Sequence, residues 1–218
     1  MFFRGDPIKV IGNIDIEKIK DLFDKIDKTF KNIWVRRTFA LMDKSYCLKA
    51  ITPSQFDKLK KDDEDLLREM LVPWITPYIS ENEVLVYLDI SSLPPGAKCK
   101  VHIDYSWFHL VSRRIHIPLV TNPNATFALL SESGPKNYNL KVGNVYEINN
   151  MCFHVVSNAG NTDRWHILAD VIDKSVYNYL VSSNKLADWG LAPSINNCID
   201  PLVIVQLEEA LKTDPINI

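Results

Sequence analysis

Arg113-Arg114-Ile115-His116-Ile117-Pro118-Leu119 alternates polar and apolar side chains with the period of a strand, and this texture decides the fold class. Working outward, similar short runs rich in β-branched and aromatic residues fall at 84–90, 98–103, 126–130, 144–148, 152–156 and 165–171. Turn signals separate them: Pro94-Pro95-Gly96, Asn122-Pro123-Asn124, Ser133-Gly134-Pro135, Val142-Gly143-Asn144 and Asn158-Ala159-Gly160-Asn161. Many short strands at such spacing predict a β-sandwich or jelly roll.

Toward the N-terminus the texture changes. Residues 1–80 carry 28 charged side chains, against 15 in residues 81–172, so the first part reads as solvated helices and the second as buried sheet. Ile16, Ile19, Leu22, Phe23, Ile26 and Phe30 recur at helical spacing, with Asn13 or Asp15 as the cap. A second helix is expected over 54–72, ended by Pro73, and its Lys60–Asp65 charge run is a solvated face or turn. Helical stretches follow the strands at 174–181 and 204–211. The expected organisation is one compact domain: a helical region (1–80), a jelly-roll core (81–172) and a C-terminal helical extension (173–218).

Composition excludes several classes. With 25 basic and 27 acidic residues, the chain has no surplus to neutralise phosphates, so no nucleic-acid partner is expected. No apolar run is long enough for a signal peptide or a membrane span, which makes a cytoplasmic protein the expectation. Cys47, Cys99, Cys152 and Cys198 lack CxxC spacing and read as reduced thiols.

All five histidines lie between 102 and 166. His102 and Asp104, at i and i+2, share a face if the segment is extended. His154 follows on another expected strand, and Arg164 opens the next. Two histidines and one carboxylate can occupy one face of an octahedral iron, the ligand set of non-haem Fe(II) oxygenases. Arg164 could then hold a distant carboxylate by a bidentate contact. An HxD pair alone is common by chance, and a strand histidine is often a hydrogen-bonded core residue. Zinc is a possible alternative metal, although it leaves the arginine without a role.

Residues 91–172 resemble the aspartyl/asparaginyl β-hydroxylase family of 2-oxoglutarate oxygenases. The likeness runs through Ser91-Ser92-Leu93-Pro94-Pro95-Gly96-Ala97-Lys98-Cys99-Lys100-Val101-His102 and Arg114-Ile115-His116-Ile117-Pro118-Leu119. It continues through Gly143-Asn144-Val145-Tyr146-Glu147-Ile148 ahead of Phe153-His154, and through Arg164-Trp165-His166-Ile167-Leu168-Ala169-Asp170. The resemblance implies a mainly β fold with flanking helices, a cupin-like double-stranded β-helix. It implies Fe(II), 2-oxoglutarate and O2 as the reacting partners. His102 and His154 match the family's iron histidines, Arg164 and Ser91 its far-carboxylate pair, and Arg114 and His116 two residues near the cosubstrate's other end.

One departure bears on the substrate. The family's animal branch has glycine where this chain has Asp104, whereas the related free-proline hydroxylases share the complete triad. The resemblance therefore implies hydroxylation of an amino-acid side chain, with an Asp/Asn-like peptide or protein residue or a free, proline-type amino acid as substrate. A cupin-like protein that binds a metal or small ligand without turnover is the alternative from another class. Tyr105, Trp107, Phe108 and His109 lie just past the metal ligands and form either a substrate wall or a barrel plug. His166 stands where the family has an apolar residue; it shares Arg164's face and either reaches the site or makes a plain polar contact.

Overall fold

The structure is a computed structural model of the 218-residue chain that describes residues 7–30, 39–41, 61–104, 111–149, 151–183 and 200–218. Its strands are β1 (Ile8–Asn13), β2 (Phe39–Leu41), β3 (Glu83–Leu93), β4 (Arg113–Val120), β5 (Ala125–Ser131), β6 (Gly134–Asn139), β7 (Asn144–Ile148), β8 (His154–Asn158), β9 (Arg164–Asp173) and β10 (Ile216–Asn217). Its helices are α1 (Ile16–Phe30), α2 (Lys61–Ile75), α3 (Lys174–Ser182) and α4 (Pro201–Ala210). The strands form two sheets, ordered β1-β7-β4-β9-β3-β2 and β10-β6-β5-β8. The expected jelly roll is the observed fold.

Alternation along the strands sorts the layers. Ile115, Ile117 and Leu119 of β4 and Trp165, Ile167, Ala169 and Val171 of β9 point to the outer face of the larger sheet. There they bury Ile19, Leu22, Ile26 and Phe30 of α1 with Leu67, Met70, Leu71 and Ile75 of α2. Between the sheets lies a second core that includes Phe127, Leu129, Tyr138, Tyr146, Ile148 and Val156. Ala128 and Val155 face the other way, onto Leu207 and Ala210 of α4. The polar faces of β4 and β9 thus turn inward rather than toward water, and the interior they line holds the candidate site.

Local chemistry explains the helix starts. The Asp15 carboxylate accepts from Glu17 N at 2.9 Å at the head of α1, and Asp173 and Asp200 cap α3 and α4 in the same way. Arg113 ties β3, β7 and the segment that follows α2 together. It donates to both carboxylate oxygens of Glu83 (2.9 Å each), to Glu147 (2.7 Å) and to Tyr78 O (2.9 Å).

Several expectations are corrected. Pro73 lies inside α2, which runs on to Ile75. So close to the end, the missing N–H removes a single intrahelical bond, and Thr76 Oγ1 donates to Val72 O at 2.9 Å to close the last turn. Residues 54–60 lie outside the described set. The 98–103 run is not a continuous strand: it touches β8 at Lys98 and again at His102, as isolated bridges. The strand expected at 152–156 begins at His154. The turn signal at Ser133-Gly134-Pro135 falls at the hairpin between β5 and β6, where Gly134 has φ +96°, but β6 itself is a strand that no expected run covers. The N-terminal region is not helical throughout, since β1 pairs antiparallel with β7 and extends the larger sheet.

Candidate metal centre

Strand register assembles the centre. His102 N donates to His154 O at 2.9 Å, and His154 N donates to His102 O at 2.8 Å. In such a hydrogen-bonded antiparallel pair, opposite side chains stand on one face, and the two imidazole rings lie with centroids 4.2 Å apart. Asp104, two residues on from His102, joins the same face. The ligand atoms of His102, Asp104 and His154 all lie within 4.8 Å of one another. Asp104 Oδ1 is 3.4 Å from His102 Nε2 and 3.9 Å from His154 Nε2.

Both imidazoles are oriented by backbone carbonyls. His102 Nδ1 lies 2.6 Å from Lys100 O and His154 Nδ1 2.9 Å from Cys152 O. Each Nδ1 is thereby held by a carbonyl, which leaves each Nε2 on the side of the ring nearest Asp104 Oδ1. The His154 ring also stacks on Phe127 at 5.2 Å. Burial pushes the His154 pKa down to about 4, so its lone pair is available at neutral pH, as a metal ligand requires. Burial also acts to lower that of His102, but the Asp104 carboxylate outweighs it and the net direction is upward. Two imidazoles and one carboxylate converging in this way can hold a divalent metal.

A charged wall backs the carboxylate. Arg114 pairs with Asp104 Oδ2 through Nη1, and grips Asp170 through Nε (2.9 Å) and Nη2 (2.7 Å). Burial opposes the charge on Arg114, but Asp170 and Asp104 outweigh it and raise its pKa. The guanidinium lies 5.5 Å from the Tyr87 ring centroid, and Tyr87 OH donates to Asp89 Oδ2 at 3.1 Å. Asp89 is 1% exposed and its Oδ1 has no hydrogen-bond partner. Burial raises its pKa to about 8.

The ring chain runs on from Phe127 to His116 (6.3 Å) and from His116 to His166 (6.0 Å). His166 Nδ1 lies 2.8 Å from Arg164 Nη2. Arg164 is 7% exposed, and among the described residues no carboxylate pairs with it. Burial lowers its pKa to about 10. Burial and the Arg164 charge keep His166 neutral, and burial with Arg114 and Arg164 keeps His116 neutral. His116 Nδ1 and His166 Nε2 are buried without partners. Ser91 sits opposite His166 in the β3–β9 ladder, next to the Leu93–Arg164 pair.

The structure thus groups His102, Asp104 and His154 at one end of the interior and Arg164 with His166 at the other, with His116 between. It puts Arg114 on the carboxylate wall. Tyr105, Trp107, Phe108 and His109 lie outside the described residues, as do Cys47 and Cys198; Cys99 and Cys152 are free thiols. Sequence reasoning missed Tyr87, Asp89, Phe127 and Asp170. The usable signals were the i, i+2 spacing of Tyr87, Asp89 and Ser91, and Asp170 falling in phase with Arg164 and His166.

Residues 69–174 match the family described as Aspartyl/Asparaginyl beta-hydroxylase, in agreement with the resemblance carried by residues 91–172. No curated protein matches the chain by sequence. Among solved structures, the fold is similar to a non-heme monooxygenase, ThoJ, in its apo form (10% identity, 77% of this chain and 74% of that one, TM-score 0.51). It is also similar to the nickel complex of ThoJ (9% identity, the same coverages, TM-score 0.50). At such identities the likeness is one of fold. No helix among the described residues is long and apolar enough to cross a membrane. A hydroxylase-family segment, an oxygenase-like fold and a His-Asp-His cluster therefore coincide in one chain.

Proposed function

We propose that this chain, with its Aspartyl/Asparaginyl beta-hydroxylase segment at 69–174, is an Fe(II)- and 2-oxoglutarate-dependent dioxygenase that hydroxylates an amino-acid side chain. The observation that carries the proposal is the convergence of His102, Asp104 and His154 within 4.8 Å, facing an interior whose far end holds a buried arginine that no carboxylate among the described residues pairs with. The donor set suits Fe(II). The far end suits an anion: Arg164 is a buried cation with no carboxylate partner among the described residues, and His116 Nδ1 and His166 Nε2 are buried polar atoms without hydrogen-bond partners there.

With iron and 2-oxoglutarate bound, the pair supplies oxidative decarboxylation coupled to insertion of one oxygen atom from O2 into a C–H bond. The chain's part is positional. His102, Asp104 and His154 would hold the metal. Arg164, with Ser91 and His166 beside it, takes the carboxylate remote from the metal and sets the depth of the cosubstrate. His116 and Phe127 line the space between and keep water out.

The substrate is a peptide or protein residue of Asp/Asn type or a free, proline-type amino acid. Arg114, the guanidinium nearest the triad, is shared between Asp104 and Asp170, so a substrate carboxylate meets a cation already neutralised.

The test is succinate formation from 2-oxoglutarate by the purified chain with Fe(II) under air, followed by a screen of free amino acids and peptides for stimulated turnover and a mass gain of one oxygen. Absence of succinate with every substrate, in a chain that binds the metal, would favour the non-catalytic cupin-like alternative.

A further inference from the structure

We infer that Arg114 and Asp170 form a positioning device for the metal carboxylate: Asp170 anchors Arg114, and Arg114 holds Asp104 by one oxygen so that the other faces the two histidines. The inference rests on the metal reading above and gives Arg114 and Asp170 a role exerted through Asp104 rather than through direct contact with a ligand.

The geometry is specific. Arg114 and Asp170 are directly opposite each other on β4 and β9, and both are buried, Asp170 completely. The two contacts of Asp170, through Nε and Nη2, fix the plane of the guanidinium and leave Nη1 for Asp104 Oδ2. Asp104 Oδ1 is the oxygen that lies near both imidazole Nε2 atoms. Asp104 stands in an irregular segment just beyond its last backbone bridge to β8, so the ladder by itself does not orient its carboxylate. A rigid fork held from the opposite sheet does. Charge alone predicts the reverse effect: a cation beside the ligand repels a divalent metal, so removing Arg114 would strengthen binding if only charge mattered.

The experiment uses the metal-free full chain titrated with Co(II), read by its visible absorption bands, with 2-oxoglutarate affinity of the Co(II)-loaded protein measured separately. The charge-conserving pair Arg114→Gln/Asp170→Asn is expected to weaken Co(II) binding about 10–100-fold and to change the band pattern. Asp170→Asn alone should cause a similar loss, because Asp170 acts through Arg114, and Arg114→Lys should recover part of it. Where the pair variant does not fold, Asp170→Asn and Arg114→Lys carry the test. Unchanged or tighter Co(II) binding, with or without a lower melting temperature, overturns the inference. So does a loss of 2-oxoglutarate affinity with Co(II) binding intact, which would make Arg114 a cosubstrate contact. A wild-type chain that takes up no Co(II) removes the metal reading itself, and this inference with it.

Discussion

Replacing Asp89 by asparagine should remove a proton that the native state is forced to carry. Asp89 lies on β3 at 1% exposure, with Oδ2 accepting from Tyr87 OH and Oδ1 unpartnered. Burial raises its pKa from 3.8 to about 8, despite the opposing pull of Tyr87 and Arg114. Between those values the native carboxyl stays protonated while the unfolded one is ionised, so the native state binds one proton more. Stability from this group is therefore complete below pH 3.8 and is lost progressively as pH rises to about 8. The loss is on the order of 1 kcal/mol per pH unit, or roughly 3 kcal/mol between pH 5 and pH 7. His116, His154 and His166, whose pKa values are lowered, act in the opposite direction, but they are common to both proteins and cancel in the comparison. The asparagine amide still accepts from Tyr87 and has no charge to lose. Urea unfolding of the metal-free wild type and Asp89→Asn at pH 5, 6 and 7 should show the difference between them growing in the variant's favour by roughly 3 kcal/mol across that range. A difference independent of pH would mean that Asp89 is ionised in the native state, with the Arg114 charge rather than burial in control.

Other expectations follow from the same geometry. Arg164→Ala should weaken 2-oxoglutarate binding by about 1.5–3 kcal/mol and leave metal affinity nearly unchanged; calorimetry with each ligand tests this, and an unaltered 2-oxoglutarate affinity removes the assignment. Asp104→Ala should lose most Fe(II) affinity and most succinate formation. Asp104→Gly is the sharper variant, because near-normal turnover would show the carboxylate to be dispensable and return weight to a peptidyl Asp/Asn substrate. Arg113→Ala leaves Glu83 and Glu147 half-buried without their cation and should cost about 2–3 kcal/mol in urea unfolding; a cost below about 0.5 kcal/mol would place that network among exposed pairs of little value.

Most of the metal centre was legible before any coordinates. The i, i+2 rule joins His102 to Asp104 with no knowledge of the rest of the chain, and the strand after the Gly143 turn leads to His154. The alternation of Arg114 with His116, and of Arg164 with His166, correctly pairs each couple on one face. What alternation cannot say is which face meets water. A strand with isoleucines on one side and arginine and histidine on the other suggests a solvated polar side. Here α1 and α2 cover the apolar side and the second sheet covers the polar one, so both are buried.

The sequence by itself determined the class of fold, the neighbourhood of His102 and Asp104, and α1, because each rests on local periodicity or on side chains a few residues apart; His154, 52 residues further on, is brought to them by its bridge to His102. Tertiary structure alone decided that β1 joins β7, that residues 134–139 pair with β5 as a strand, that Asp170 lies opposite Arg114, and that Asp89 is buried with one oxygen unpartnered. These depend on which strands become neighbours and in what register. Register is set by packing over the whole sheet, and it carries no mark in the residues on either side of the pair it creates.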